Sequence, residues 1–318
     1  MDWALLDPEI ASFVRRMQAD WASHPPFMTL PLDEARAVAE EVRRPWRAGG
    51  PKMAHTTEHH VPTPTGPLRI RVYDPGIGAA APVLIYLHGG GFTLFSIDTH
   101  DRLMREYAAA GGFLVVGVDY PLSPEARFPK ALDQLVALVG WLAAKGGEMI
   151  GCDRDRIAIG GDSAGANLSL AAALCLRERG DAARLRGLLL NYGAFDSVCS
   201  DEAEARYGGP GAVLDSAEMA YYFGNYTGGT LDFEADLHAR PIMADYAGLP
   251  PAFFVIPECD ILSEQSYLVA ERMAQAGVVV TSKVYPGATH SFLEAMSVAA
   301  VAREAIADGA AWVKARLA

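Results

Sequence analysis

Apolar and polar residues alternate along this chain with two periods, and the switches between the periods mark out its elements. Over residues 1–50 the helical period rules. Ile10, Phe13, Val14 and Met17 fall at i, i+3, i+4 and i+7, one apolar stripe. Pro25-Pro26 breaks it. A second stripe follows in Leu32, Ala35, Val38, Ala39 and Val42, with Asp33 and Glu34 where a helix N-terminus favours acids. Two amphipathic helices ahead of the first strand need a surface to cover, and they are read as part of a lid over the core. From His55 the period drops to two. His59–Val61 and Leu68–Tyr73 alternate around the turn residues Pro62–Pro67, which predicts a hairpin. His55, His59 and His60 cluster there, but no carboxylate or cysteine completes a metal-ligand set, so they read as solvated edge residues.

Val83–Leu87 is a buried strand that runs straight into His88-Gly89-Gly90-Gly91-Phe92. A helix over Asp98–Ala110, a strand over Phe113–Val118, a proline-bearing loop and a helix over Pro129–Lys145 come next. The strand Ile157–Ile159 then leads into a helix over Leu168–Arg177, and Leu185–Leu190 is again a strand. Between Phe195 and Arg240 the rhythm lapses, with Tyr221-Tyr222-Phe223 in a helix. It returns with the strand Ala252–Ile256, the helix Glu264–Ala276, the strand Val278–Tyr285 and a closing helix over Ser297–Arg316. Strands alternating with helices predict an α/β protein with a mostly parallel central sheet flanked by helices on both faces.

At 318 residues and 51% apolar content, the chain can bury one large core with an appendage. A formal net charge of −12 at pH 7 argues against nucleic acid and against anionic membrane surfaces as partners. The four cysteines, Cys152, Cys175, Cys199 and Cys259, show no metal or redox spacing and read as free thiols of a reducing compartment. Met1-Asp2-Trp3 is not the basic start of a signal peptide, and the run Leu135–Ala144 is too short to span a bilayer. The expectation is a cytoplasmic protein.

The chemistry centres on Arg156–Asn167, which reads R-I-A-I-G-G-D-S-A-G-A-N. Strand, sharp turn and helix form the setting of a G-x-S-x-G nucleophile elbow, with Gly161 and Gly165 leaving room beside Ser163. Acyl transfer through a serine needs a base, an orienting acid and donors for an oxyanion. His290, in Y-P-G-A-T-H-S-F, follows a strand and precedes the last helix, as the base of such a site does. Asp260, in P-E-C-D-I-L-S-E, lies just past a strand end and is the candidate acid. Glu258, Glu264 and Asp245 compete with it, and Glu264 also suits the start of a helix. Gly89, Gly90 and Gly91 permit close approach of backbone N–H groups to a developing charge, and with Ala164 they are the candidate oxyanion hole. Phosphate binding would need G-x-G-x-x-G or a P-loop lysine, and neither is present.

The pair H-G-G-G-F (His88–Phe92) and G-D-S-A-G (Gly161–Gly165) resembles the signatures of the hormone-sensitive-lipase-like esterases, family IV of the α/β-hydrolase superfamily. The likeness extends to D-T-H-D-R at Asp98–Arg102, to D-Y-P-L-S-P-E-A-R-F-P at Asp119–Pro129, and to the segments around Asp260 and His290. Within that family the chain looks closest to bacterial acetyl esterases. The resemblance implies an α/β-hydrolase fold with a helical cap, a Ser163–Asp260–His290 triad, no cofactor or metal, a small-molecule ester substrate with a short acyl chain, and a homodimer. It divides the chain into an N-terminal cap segment (1–50), a first part of the core (51–195), a cap insertion (196–240) and a second part of the core (241–318). The sequence departs from the family at Phe95, where glycine is frequent, at Ile261, where proline is usual, and at Ser291, where glycine or alanine is common.

These readings predict a serine carboxylesterase acting on acetyl to roughly hexanoyl esters, with Phe92, Phe95, Tyr192, Phe195 and Phe292 lining a compact apolar pocket. Amide or lactone hydrolysis would use the same residues. A non-catalytic ligand-binding protein on the same fold is the alternative from another class.

Overall fold

The structure is a computed structural model that describes residues 2–229 and 236–318. Met1 of the expected N-terminal cap segment and residues 230–235 of the expected cap insertion lie outside the described residues. The strands are β1 (His55–Val61), β2 (Leu68–Asp74), β3 (Ala81–Leu87), β4 (Leu114–Asp119), β5 (Cys152–Asp162), β6 (Leu185–Asn191), β7 (Ala252–Cys259) and β8 (Val280–Thr289). They form one eight-stranded sheet in the order β1-β2-β4-β3-β5-β6-β7-β8. β2 pairs antiparallel with β1 and with β4, and every pairing from β4 across to β8 is parallel.

The helices are α1 (Pro8–Ala22), α2 (Leu32–Arg47), α3 (Asp101–Gly111), α4 (Lys130–Trp141), α5 (Gly147–Ile150), α6 (Ala164–Glu178), α7 (Asp201–Tyr207), α8 (Ser216–Thr227), α9 (Ser263–Gln275) and α10 (Ala300–Arg316). The two faces of the sheet feed two separate clusters of buried side chains. Along β3, Val83, Ile85 and Leu87 join one cluster with residues of α4, α6 and α9. Leu84 and Tyr86 join the other with residues of α1, α3 and α10. That is the period-two alternation of a strand covered on both faces, and each large side chain so buried stabilises the fold by about 1.5–3 kcal/mol. α6 is buried on nearly all sides, which explains its small residues: the alanines Ala171–Ala173 let β5 and β6 approach.

Boundaries differ from the sequence expectation in two informative places. α3 begins at Asp101 rather than Asp98, because Ser96 to Thr99 closes a turn in which the Thr99 hydroxyl donates to Ser96 O at 2.7 Å. β8 runs on to Thr289 beyond Tyr285, because after a register shift Thr289 pairs again with Cys259 of β7, the N–H of the intervening Gly287 being taken by Glu258 Oε2 at 2.9 Å. The helix α2 is tied down by partly buried polar contacts as well as by its stripe. Arg36 of α2 donates from Nε to Thr93 O at 2.9 Å and from Nη2 to Ser123 O at 3.0 Å. Among the described residues, no helix is long and apolar enough to cross a membrane.

Candidate active site

In an open parallel sheet, ligands gather beyond the carboxyl ends of the strands. Here the ends of β3, β5, β7 and β8 deliver His88, Ser163, Asp260 and His290, each within one residue of the strand terminus. Ser163 sits between β5 and α6 with φ +54 and ψ −118, a conformation that costs a non-glycine residue energy and survives only when its surroundings hold it. They do so through four backbone bonds. Its N–H donates to Asn191 O at 2.9 Å, and its carbonyl accepts from Ala166 at 3.1 Å, Asn167 at 3.2 Å and Ala194 at 3.3 Å. Side chains at Gly161 and Gly165 would collide with the backbone of Leu87, so both positions require glycine. Asn167 braces the next turn by donating to Ala194 O at 2.7 Å and Ala239 O at 3.1 Å.

Ser163 Oγ lies 3.0 Å from His290 Nε2, and His290 Nδ1 lies 2.7 Å from Asp260 Oδ2. All three residues are buried. The second oxygen of Asp260 accepts the Leu262 N–H at 3.0 Å, so the carboxylate is fixed from both sides. The competing acids are engaged elsewhere. Glu258 holds Gly287, Glu264 accepts from the Ser200 N–H at 2.7 Å, and Asp245 accepts from the Ala247 N–H at 3.0 Å. After His290 the backbone turns through Ser291 at φ +60, which is the physical reason a small residue or glycine suits that position.

Behind the serine lies a buried polar network. Asp162 accepts from Tyr86 Oη at 3.0 Å and faces His100 Nε2 at 3.3 Å, both side chains of the ion pair being at most 2% exposed. Burial alone would raise the Asp162 carboxyl, but His100 and the Tyr86 hydroxyl outweigh it and hold it below the ordinary value. Likewise His100 is lifted by Asp162 against the opposing effect of burial. His88 stacks on Tyr120 at 4.3 Å, and burial together with the nearby His100 charge pushes its imidazole down to about 3. Neutral His88 donates from Nδ1 to Gly89 O at 2.7 Å, fixing the first peptide of the glycine loop. Gly89 packs so closely on Asp162 that a side chain there would strike the carboxylate. Gly90 and Gly91 have φ of +116 and +57. Among the described residues, the N–H groups of Gly90, Gly91 and Ala164 find no hydrogen-bond partner.

Above these groups opens a cavity of about 500 Å³. Gly89, Gly90, Gly91, Phe92 and Phe95 line it, together with Ser163 and His290. Tyr192, Phe195 and Phe292, expected to line it, do not. They are fully buried in the layers beneath: Tyr192 packs edge-on against the His290 ring at 5.1 Å and against Phe292 at 5.8 Å, while Phe195 packs on Phe254 at 6.2 Å. Nearness to the site in sequence does not tell which side of the sheet a ring will face. The walls come instead from α1 and its following loop (Met17, Trp21, Phe27) and from α8 and the segment before it (Leu214, Met219, Tyr222). Among these the sequence points to Met17, in the stripe of a helix read as part of a lid, and to the Tyr221–Phe223 cluster. Charged groups on the wall were missed as well. Arg43 and Glu294 form an ion pair at 2.9 Å, and Glu218 of α8 also faces the cavity. Burial, followed by the charge of Asp215, pushes the Glu218 carboxyl up to about 7.

A twisted, mostly parallel sheet with a strained serine at the turn after β5, and a histidine and a carboxylate after β8 and β7, defines the α/β-hydrolase class. Residues 84–294 match the α/β-hydrolase fold family, and the chain belongs to it, in its hormone-sensitive-lipase-like branch. Solved structures agree along nearly the whole length. The chain is similar to a hyperthermophilic esterase from the archaeon Pyrobaculum calidifontis at 31% identity, with 98% of each chain covered and a TM-score of 0.89. It is similar to the thermostable carboxylesterase EstE1 from a metagenomic library at 32% identity, covering 92% of this chain and 99% of that one, with a TM-score of 0.87. It is also similar to a thermostable esterase from Pseudomonas putida ECU1011 at 27% identity, with 98% of each chain covered and a TM-score of 0.90.

Proposed function

We propose that this carboxylic ester hydrolase is a serine esterase of short acyl esters, with Ser163 as nucleophile, His290 as base and Asp260 as the group that orients the imidazole. The observation that carries the reading is the continuous chain Ser163–His290–Asp260, with contacts of 3.0 and 2.7 Å at the floor of the cavity. Ser163 Oγ attacks the ester carbonyl carbon as its proton passes to His290 Nε2, and the carbonyl electron pair moves onto the oxygen. The N–H groups of Gly90, Gly91 and Ala164 stabilise that oxyanion, each such donor being worth about 10²–10³ in rate. On collapse, the bond to the alkoxide oxygen breaks, and His290 returns its proton to the leaving alcohol. Water then attacks the acyl-enzyme, giving a proton to His290; collapse breaks the bond to Ser163 Oγ, which takes that proton back as the acid leaves.

Short acyl chains are favoured by the walls, to which the rings of Phe92, Phe95 and Tyr222 contribute in the same cavity as Ser163. The N-terminal segment and the α7–α8 region act as a cap, since Trp21, Phe27 and Tyr222 meet above the catalytic groups, Phe27 stacking on Tyr222 at 6.0 Å. The names of its structural relatives, esterases and a carboxylesterase, favour ester over amide substrates. The test is a p-nitrophenyl ester series from acetate to laurate, run beside titration with a fluorophosphonate. The expected results are a maximum between acetate and hexanoate and one equivalent of label on Ser163. A maximum at decanoate or beyond would overturn the short-chain preference, and no covalent label would favour a non-catalytic binder.

A further inference from the structure

The cavity wall carries a feature that ester hydrolysis does not require. Arg43, from α2, and Glu294, four residues past His290, meet at 2.9 Å with side chains 5% and 6% exposed, and both line the cavity. The guanidinium lies over the Phe95 ring at 4.7 Å and donates from Nη1 to the Met17 sulfur at 2.8 Å, while its Nε finds no hydrogen-bond partner among the described residues. A buried ion pair contributes little net stability, because desolvating both charges offsets their attraction, and apolar residues of similar volume would serve as well for packing. A pair retained on the wall of a substrate cavity, with a donor still unused, is therefore poorly explained by stability alone.

We propose that Arg43 and Glu294 form a polar subsite that takes an uncharged hydrogen-bonding group of the ester, a hydroxyl or a carbonyl, on either its acyl or its alcohol part. The proposal rests on the hydrolytic reading of the same cavity. The chemistry of the pair selects the class of group. Arg43 offers N–H donors and Glu294 an acceptor, so a hydroxyl can both accept and donate there, and a carbonyl can accept. The two charges cancel over 2.9 Å, so the subsite offers no net charge to an ionic substrate. Glu294 and Asp162 in the same cavity each already hold a cation, Arg43 and His100, so neither an anion nor a cation finds a free counter-charge there. A purely alkyl chain leaves the donor unpaired, and that is the basis of discrimination.

The experiment compares kcat/KM for matched esters in two arms. The acyl arm sets ethyl 3-hydroxybutanoate against ethyl butanoate, the alcohol arm sets 3-hydroxypropyl acetate against propyl acetate, and monoethyl succinate supplies a carboxylate. In the wild-type enzyme the hydroxylated ester of one arm is expected to be favoured on the order of 5- to 10-fold, and that arm identifies the part of the substrate held. In the Arg43→Met, Glu294→Gln double variant, which leaves neither charge unpaired, the ratio falls to about one. A wild-type ratio of one in both arms overturns the subsite and needs no variant to fold. So does a ratio that survives in the double variant, or a preference for the succinate. Absence of turnover on every ester would instead overturn the hydrolase reading itself.

Discussion

The ring of Tyr222 occupies the space that a side chain on Gly91 would need. A residue of α8 thus rests directly on the backbone of the glycine loop, and the loop has no freedom to carry even a methyl group, its φ of +57 adding a second restriction. Replacing Gly91 with alanine is expected to displace the loop and lower kcat for p-nitrophenyl butanoate by roughly 10²-fold or more, the scale of losing an oxyanion donor. Tyr222→Ala removes the obstruction from the other side and should move the acyl-chain optimum to longer chains. Activity retained by Gly91→Ala at wild-type level would contradict this account of the loop.

Phe95 stands at φ +67, a conformation that suits glycine far better than an aromatic residue. Its ring lies under the Arg43 guanidinium and borders the cavity. In Phe95→Gly the backbone relaxes by roughly 1–2 kcal/mol while ring contacts of similar worth are lost. Thermal unfolding should therefore move by only a few degrees, whereas the ester series should shift by two or more carbons toward longer acyl groups. An unchanged chain-length profile would show that Phe95 does not limit the cavity.

Glu218 supplies a pH dependence of stability. Its carboxyl is raised to about 7 in the folded protein from 4.5, first by burial and then by Asp215. The folded state consequently holds a proton that the unfolded state releases between those values. Its contribution to stability is complete below 4.5 and is lost as pH rises through 7. Urea unfolding at pH 5 and pH 8 should show a larger fall in stability for the wild type than for Glu218→Gln. Equal falls would remove Glu218 as the source.

The ion pair behind Ser163, His100 with Asp162, is almost wholly withdrawn from water. His100→Leu leaves the Asp162 carboxylate buried beside the serine without its partner, which is expected to cost about 3–5 kcal/mol. Adding Asp162→Asn should recover part of that loss, because it removes the stranded charge. A double variant no more stable than the single one would argue that the pair is not what steadies this region.

Much of this fold is legible in the sequence because the signals are local. The apolar runs of Val83–Leu87 and Leu185–Leu190 record strands covered on both faces, and the stripe from Ile10 to Met17 records one neighbour surface. The elbow is legible for the same reason: Gly161, Ser163 and Gly165 are dictated by the turn they make. His290 and Asp260 follow from the order of elements. The cavity wall is not local. Arg43, Glu218 and Glu294 come from three elements that meet only in the tertiary structure, so no window of sequence brings them together. Tyr192 and Phe292 mislead in the opposite direction. They are near the site in sequence, yet their rings pack beneath His290 rather than facing substrate.

The most direct test of the central claim is the steady-state hydrolysis of p-nitrophenyl butanoate by Ser163→Ala. The account predicts a folded protein whose kcat/KM has fallen by at least about 10⁴-fold, since the nucleophile and the proton it passes to His290 are removed together. Turnover within tenfold of the wild type would contradict it and would place the ester chemistry elsewhere in the molecule.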